Sequence, residues 1–276
     1  MTTSDDIIRL NQYPQRHVQA SASPFRYPGG KGFLTGYLEA LIKTLPGRSK
    51  EYVEPFCGGA GAAMNLLMDD AVEHVHLNDF DPRIYSAWVA LTMENERFLD
   101  KLANVSLDIE TWRYCRRTVE DSGPGYDFET GFAAYYLNRT STGGIILGSG
   151  PIGGYEQKGK WRLDARFYRE SMLRRVATIG TWRDRIFVTN LPALEFLRTQ
   201  AEQRDPEGTF YFIDPPYIEA GSRLYMDAMT IPLHRSLASL LKSGVLKHWV
   251  LTYDDNSLVR RMYDGCRVAE LEVKYS

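Results

Sequence analysis

An acid, two prolines and an aromatic residue follow an apolar run, in the order Asp214-Pro215-Pro216-Tyr217. The preceding residues 210–213 have the β-branched and aromatic content of a central parallel strand. Proline lacks a backbone N–H and has a fixed φ, so this strand must end before residue 215. Ligands of open α/β sheets bind where the strands end at their carboxyl edge. A carboxylate beside a flat ring suits a planar, amine-bearing ligand such as a nucleobase, so Asp214 and Tyr217 are candidate binding residues.

A glycine-rich turn is the second candidate site, and its glycines are Gly58, Gly59 and Gly61. They let the backbone approach a ligand closely, at a helix N-terminus that favours negative charge. Asp79 ends the next predicted strand, 18 residues after Gly61, where an acid can accept hydrogen bonds from ribose hydroxyls. The phosphate-binding fingerprint is absent, so adenosine with a non-phosphate tail, such as S-adenosylmethionine, fits as well as a dinucleotide. A tight turn followed by a capping acid is the alternative interpretation.

Predicted strands and helices alternate on both sides of a long central segment. Apolar runs predict strands at 51–53, 74–77, 186–188, 210–213, 249–253 and 268–275, and helical spacing predicts helices at 32–45, 61–68, 82–102, 112–119 and 130–138. Such alternation is typical of a parallel sheet. We therefore predict an α/β fold: a Rossmann-like, mostly parallel sheet with helices on both faces. The predicted divisions are a flexible arm at 1–22, a sheet domain at 23–103 and 181–276, and a largely helical insertion at 104–180.

Length and composition fit one large globular domain, since 43% of the 276 residues are apolar and 25% are charged. No apolar stretch approaches the roughly 18–20 residues that a membrane helix needs. Residues 1–22 lack the apolar core of a signal peptide. The three cysteines are widely spaced and odd in number, which argues against a disulfide framework or a zinc site. We expect a cytoplasmic protein with no membrane partner and no metal.

Positive charge is concentrated in one part of a chain whose net charge is −2. Between Arg139 and Asn190, ten lysines or arginines face four acids, which leaves a local charge of +6. Binding to a phosphate backbone needs such a cationic segment. A solvated helix face with unremarkable charge explains the same pattern, and charge alone does not decide between the two.

Three further patterns are weaker. Residues 148–153 match the dinucleotide fingerprint literally, but no helical pattern follows and Pro151 removes a donor, so we predict a loop. His74 and His76 alternate on one predicted strand without further ligands nearby, which favours a solvated strand face over a metal site. Lys31 opens the first helix, where it could place an ammonium near a carboxylate or phosphate, although this segment taken alone favours a surface turn.

Taken together, the motifs resemble the Dam-like DNA adenine methyltransferases. The quoted segments occur in the family's order and spacing: Tyr27-Pro28-Gly29-Gly30-Lys31, Glu54-Pro55-Phe56 before Gly58-Gly59, Asn78-Asp79, and Asp214-Pro215-Pro216-Tyr217. Tyr136 to Thr140 is similar to the family's target-recognition region, and Thr252 to Asp255 to the segment after its fifth strand. The resemblance spans about residues 24–275. Each motif alone is common, whereas the joint match is highly specific.

The resemblance implies transfer of a methyl group from S-adenosyl-L-methionine to the N6 amine of an extruded adenine in double-stranded DNA. It makes the sheet domain catalytic and the insertion a DNA target-recognition region, with a cognate restriction enzyme as a candidate partner. The implied catalytic residues are Asp214, Pro215, Pro216 and Tyr217. The implied cofactor-binding residues are Tyr27, Lys31, Glu54, Pro55, Phe56, Gly58, Gly59, Gly61, Asp79, Asn190 and Asp214. The implied DNA-binding residues are Arg139, Lys158, Lys160 and Arg162.

Two departures from the family pattern bear on these expectations. Position 60 is alanine where the small Dam enzymes have glycine, a spacing that should still permit close approach to the cofactor. The family closes its sheet with a β-hairpin, whereas this sequence stops at Ser276 in what resembles the first hairpin strand. We therefore expect the last sheet strand to be missing through truncation, or the sheet to be finished differently.

Other functions remain open from the residues alone. Cytosine-N4 and RNA-adenine methyltransferases use related proline-rich loops, as do those acting on protein glutamine, although the long insertion disfavours the glutamine enzymes. A non-catalytic module that keeps the cofactor fold is a second alternative, which the intact Asp214 to Tyr217 segment disfavours. A nicotinamide dehydrogenase would rest only on the glycines of 148–153.

Overall fold

A five-stranded parallel sheet forms the centre of the computed structural model, which describes residues 12–13, 22–26, 30–47, 50–218 and 229–271. Its strand order is β3-β2-β1-β4-β5 and every pairing is parallel. The strands are β1 (Glu51–Glu54), β2 (His74–Asn78), β3 (Ile186–Thr189), β4 (Thr209–Ile213) and β5 (His248–Leu251). The predicted parallel α/β fold is confirmed. The last predicted strand, 268–275, lies partly outside the described residues and stays a prediction.

Side-chain alternation divides the strands between two apolar cores on opposite faces of the sheet. On the first face, Tyr52 and Phe212 belong to a large core that includes most of the helices. These helices are α1 (Thr35–Ile42), α2 (Gly61–Met68), α3 (Pro82–Met93), α4 (Asn95–Asn104), α5 (Ile109–Glu120), α6 (Phe128–Thr140) and α7 (Arg169–Thr181). On the second face, Val53 and Ile213 pack with α8 (Ala193–Gln203), α9 (Ile231–Lys242) and residues near α10 (Ser257–Met262). The central strands β1 and β4 therefore contribute apolar side chains to both cores, as buried parallel strands usually do.

The single helix predicted at 82–102 is wrong, because α3 and α4 are separate helices. The chain breaks at Glu94, whose φ of −116° and ψ of 38° are not helical. The Asn95 side chain donates hydrogen bonds to the carbonyls of Leu91 (2.7 Å) and Val176 (2.9 Å). The second of these bonds joins the break to α7, so a tertiary contact that the local pattern does not reveal ends α3.

The inserted segment is helical and joins the same core as the sheet. Its helices α6 and α7 bury Tyr135 and Val176 in the core that Trp88 of α3 also enters. Asp127 caps α6 by accepting from the Thr130 N–H at 2.7 Å, which matches the preference for Asp at helix N-caps. The predicted limits 104–180 of a separate target-recognition region stay a prediction.

Gly131 lies where α6 crosses α3. A Cβ atom added at Gly131 would lie 2.5 Å from the backbone carbonyl carbon and oxygen of Ser86, which cannot yield as a side chain could. Gly131→Ala should therefore lower the free energy of unfolding by about 1–3 kcal/mol, measured by urea denaturation. Gly123→Ala is the matched control, since a Cβ there meets nothing within 4 Å. Equal stability of the two variants would contradict this packing.

Two other sequence interpretations have different outcomes. Residues 148–153 contain no helix, so the predicted loop is confirmed. The solvated strand face predicted for His74 and His76 is wrong for His76, which is buried and whose Nε2 lies 2.6 Å from Glu51 Oε2 on the neighbouring strand. The His74 Nδ1 lies 3.0 Å from the other oxygen of the same carboxylate. In the described part of the chain, none of the helices has the length and apolar character needed to cross a membrane.

Candidate active site

The Asp214 carboxylate, directly after β4, is held by groups from distant parts of the chain. Lys31, at the start of the turn that leads into α1, donates from Nζ to Asp214 Oδ2 at 2.8 Å. Thr252, directly after β5, donates from Oγ1 to Asp214 Oδ1 at 2.5 Å. Burial alone would lower the pKa of Lys31, but the Asp214 carboxylate more than offsets this and keeps that pKa above its usual value. The lysine is therefore an ammonium donor and not a base.

Tyr217 lies against the same ion pair. Its ring centroid is 5.2 Å from Lys31 Nζ, and its hydroxyl makes a long 3.4 Å contact with Asp214 Oδ1. Pro215 is buried, whereas Pro216 and Tyr217 are partly exposed. The loop thus presents a carboxylate and a flat ring side by side at the carboxyl edge of the sheet, as the sequence predicted.

The glycine turn after β1 lies at the same edge, and hydrogen bonds fix its backbone. Gly58 and Ala60 have φ of 44° and 43°, in the left-handed region that glycine adopts without strain and alanine does not. The Gly58 carbonyl accepts from Trp88 Nε1 at 2.8 Å, and the Gly59 carbonyl accepts from Ser23 Oγ at 2.6 Å. Ala60 therefore adopts a backbone conformation that glycine usually occupies, directly before α2 begins at Gly61.

Asp79 follows β2 and faces this turn. Its two carboxylate oxygens accept from the backbone N–H groups of Gly58 (2.9 Å) and Asp81 (3.0 Å). Burial, with the Asp81 carboxylate adding to it, raises the pKa of Asp79 to about 7, although both backbone bonds stabilise its ionised form. Asn190 is tied to the same loop, because its side-chain amide donates to the carbonyls of Asp79 (2.7 Å) and Phe80 (2.9 Å).

Glu54, the last residue of β1, is a buried acid on the same face of the sheet as Tyr52. Burial, and then the negative charge of Asp214, raise the pKa of Glu54 well above its usual value. Among the described residues, its Oε2 atom has no hydrogen-bond partner. A buried polar atom of this kind usually has a partner. The ammonium group of S-adenosylmethionine would supply one, so the donor and acceptor set at this edge fits the cofactor that the motifs imply.

The residues predicted to bind DNA do not all lie on the surface. Lys158, Lys160 and Arg162 are exposed in the loop before α7, where Lys158 pairs with Glu156 at 2.5 Å. Arg139 departs from the prediction that it binds DNA, because the residue is only 6% exposed and its side chain donates to the Pro24 carbonyl. Its charge therefore faces the interior, where burial lowers the pKa of the guanidinium, and direct contact with DNA is not supported.

Tyr27, predicted to contact the cofactor, lies outside the described residues. Three residues at the site carried no role in the sequence interpretation: Thr252, the exposed ring of Phe80 beside Asp79, and Asn78, whose amide donates to the carbonyls of Pro55 and Leu191. Their positions in the sequence could have indicated these residues, because each of the three lies at or just after the carboxyl end of a strand.

Comparison with known proteins matches this chain to a family of methyltransferases. The family model described as D12 class N6 adenine-specific DNA methyltransferase matches residues 27–276. None of the curated proteins matches the chain. Among solved structures, the chain is similar to the rRNA methyltransferase aviRa from Streptomyces viridochromogenes, with 15% sequence identity and a TM-score of 0.35. That alignment covers 82% of this chain and 74% of the aviRa chain.

Proposed function

Because the chain belongs to the D12 class N6 adenine-specific DNA methyltransferase family, we propose that the loop from Asp214 to Tyr217 is its catalytic centre. Family membership confirms the resemblance identified from the motifs, and with it methyl transfer to the N6 amine of adenine in DNA. The observation that supports the proposal most is the Asp214 carboxylate, held by Lys31 and Thr252 at the carboxyl edge of β4, beside the glycine turn. This edge is where open α/β sheets bind their ligands.

We propose that S-adenosyl-L-methionine binds along the glycine turn. The cofactor supplies an electrophilic methyl group on a positively charged sulfur. Asp79 would accept hydrogen bonds from its ribose hydroxyls, Asn190 would border its adenine, and Glu54 would lie near its ammonium group. The full set proposed to line the site is Tyr27, Lys31, Glu54, Pro55, Phe56, Gly58, Gly59, Gly61, Asp79, Asn190 and Asp214.

The loop would act on the adenine amine by accepting its hydrogens. This amine is a poor nucleophile, since its lone pair is delocalised into the ring. Hydrogen bonds to Asp214 and to the Pro215 carbonyl favour a pyramidal nitrogen whose lone pair points at the methyl carbon. Accepting the methyl group would make this nitrogen cationic, and the Asp214 carboxylate and the Pro215 carbonyl would then hold the proton that the nitrogen has to lose. No base has to remove that proton before the attack, so position and electrostatics supply the catalysis.

Tyr217 would stack on the extruded base. Its 3.4 Å contact with Asp214 is longer than the contacts that Lys31 and Thr252 make with this carboxylate, so the incoming amine can replace it. Stacking on an aromatic ring is worth roughly 1–3 kcal/mol per base, which offsets part of the cost of unstacking. Lys31 keeps its own bond to the other carboxylate oxygen throughout.

The loop before α7 would contact the DNA backbone. It carries the exposed cations Lys160 and Arg162 next to Trp161, whose ring is 64% exposed. Lys158 is a weaker candidate, because Glu156 already pairs with it. A cognate restriction enzyme is the further partner that we propose, since site-specific methylation would protect DNA from it.

Removing two of these charges should reduce the salt dependence of DNA binding. Each phosphate contact contributes about 0.9 to the slope of log K against log salt, so Lys160→Gln with Arg162→Gln should lower that slope by about 2. Lys43→Gln is the matched control: Lys43 is also exposed but lies between α1 and β1, at the opposite edge of the sheet. Fluorescence anisotropy with duplex DNA at several salt concentrations measures the slope. An unchanged slope in the double variant would contradict the assignment.

Methylation mapping tests the proposed function directly. Unmethylated plasmid DNA is incubated with the protein and S-adenosylmethionine, digested to nucleosides and analysed by mass spectrometry. We expect N6-methyldeoxyadenosine among the nucleosides, and sequencing of intact plasmid treated in the same way should locate it at one short sequence. N4-methylcytosine as the product, or methylation of RNA and not DNA, would contradict it and favour the alternative acceptors. Binding of the cofactor by calorimetry without any methyl transfer would favour the non-catalytic module.

A further inference from the structure

Thr252 makes two contacts with the catalytic loop. Its backbone N–H donates to the Ile213 carbonyl at 3.0 Å, which continues the pairing of β4 with β5 to the residue before Asp214. Its hydroxyl donates to Asp214 Oδ1 at 2.5 Å, a distance typical of a hydroxyl bonded to a carboxylate. One residue therefore fixes both the backbone before the carboxylate and the carboxylate itself.

The second bond matters because an Asp side chain has a soft terminal torsion. The χ2 angle of Asp is broad, so a single donor on a long, flexible side chain restrains the carboxylate plane only loosely. Lys31 holds only Oδ2, with a rotationally symmetric ammonium group that does not define the plane. A directed O–H donor on Oδ1 defines it. The orientation of the Asp214 carboxylate therefore depends on Thr252 as well as on Lys31.

The position of Thr252 is itself well defined. The next residue, Tyr253, has its hydroxyl 2.6 Å from Nδ1 of His234, a buried residue of α9. The Tyr253 ring lies between two others, with centroids 6.1 Å from Tyr217 and 6.1 Å from Tyr263. These contacts tie the end of β5 to α9 on one side and to the catalytic loop on the other.

We propose that Thr252 is a positioning residue for methyl transfer: its hydroxyl aligns the Asp214 carboxylate with the amine of the target adenine. The proposal rests on the proposed role of Asp214. A positioning residue affects the chemical step more than cofactor binding, because the bond acts on the orientation of the acceptor and not on the cofactor pocket.

Substitutions that keep or remove the hydroxyl test this inference. Thr252→Val has the same shape without the donor, and Thr252→Ser keeps the donor without the methyl group. We expect T252V to lower the single-turnover rate of tritiated methyl transfer into unmethylated plasmid DNA by about 10- to 100-fold. T252S should stay close to the wild type. The affinity for S-adenosylmethionine, measured by calorimetry, should be unchanged in both.

Thr209→Val is the matched control for a purely structural effect. Thr209 is a buried threonine at the opposite end of β4 from Asp214, and its hydroxyl donates to the Asp205 carbonyl at 2.7 Å. The Thr209→Val variant should lose thermal stability as T252V does, and yet its rate of methyl transfer should stay close to that of the wild type. If T252V does not fold, Thr252→Ala is compared with T252S by the same criteria.

Two results would overturn the inference. One is a T252V rate within about threefold of T252S, and the other is a T252S rate as low as that of T252V, since the hydroxyl would then not be responsible. Asp214→Asn, measured alongside, separates this inference from the proposed function. An active D214N enzyme would contradict the catalytic role proposed for Asp214, whereas an inactive D214N beside a fully active T252V contradicts only the role of Thr252.

Discussion

Asp214→Asn should lower the single-turnover rate of methyl transfer by about 100- to 1,000-fold, the size of effect seen when a preorganised group is lost from an active site. The amide has one acceptor oxygen in place of two. If Lys31 takes that oxygen, the amide nitrogen faces the adenine amine, so a donor meets a donor. Asn is preferred to Ala because it keeps the side-chain volume and leaves the buried Lys31 ammonium with a partner.

The cofactor affinity of this variant should change little, which calorimetry with S-adenosylmethionine would measure. Asp205→Asn is the matched control, an acid before β4 that caps a surface turn through the Glu207 N–H. It should be fully active. A D214N enzyme that retains about a tenth or more of the wild-type rate would remove Asp214 from the chemistry.

The sequence predicts the edge of the sheet that carries the site but not how its residues meet. Apolar runs locate β1 and β4, and parallel strands place the loops at their carboxyl ends along one edge, so Asp214 and the glycine turn were expected to be neighbours. The bond from Lys31 joins residues 183 positions apart, and the bond from Thr252 joins residues 38 apart. No local pattern encodes such pairs, because they depend on how the helices and strands pack.

Charge patterns in the sequence predict the DNA-binding residues less well, since a sequence gives the charge of a side chain but not whether that side chain is buried. Arg139 and Arg162 look alike in the sequence, yet one is buried against the Pro24 carbonyl and the other is exposed. His76 is a comparable case, because it is buried with its ring bonded to a carboxylate on the neighbouring strand. A buried polar group needs a hydrogen-bond partner, and for Arg139 the chain supplies one 115 positions away along the sequence.

Asp79→Asn should weaken the binding of S-adenosylmethionine by about 100-fold, since two hydrogen bonds from ribose hydroxyls to a carboxylate would be reduced. The wild-type affinity should also depend on pH. The pKa of Asp79 is raised to about 7 in the free protein, so binding should strengthen as the pH rises towards and through 7 and then level off. Calorimetry across this range measures both effects, and D79N should show no such rise. Equal affinity of the two proteins at about pH 8, where the carboxyl group is ionised, would remove the ribose role.

The same carboxyl group should make the protein without cofactor less stable at higher pH. Its native pKa of about 7 exceeds the ordinary value of 3.8, so between these values the native state binds more protons than the unfolded state. The free energy of unfolding should therefore fall as the pH rises through this window, relative to D79N, which cannot ionise there. Urea denaturation of both proteins at several pH values measures the difference. If the free energies of unfolding of the two proteins changed in parallel with pH, the raised pKa of Asp79 would be contradicted. If they diverged, the ionised Asp79 carboxylate would destabilise the empty site. The same carboxylate is proposed to bind the ribose, so cofactor binding would then come at a cost in stability.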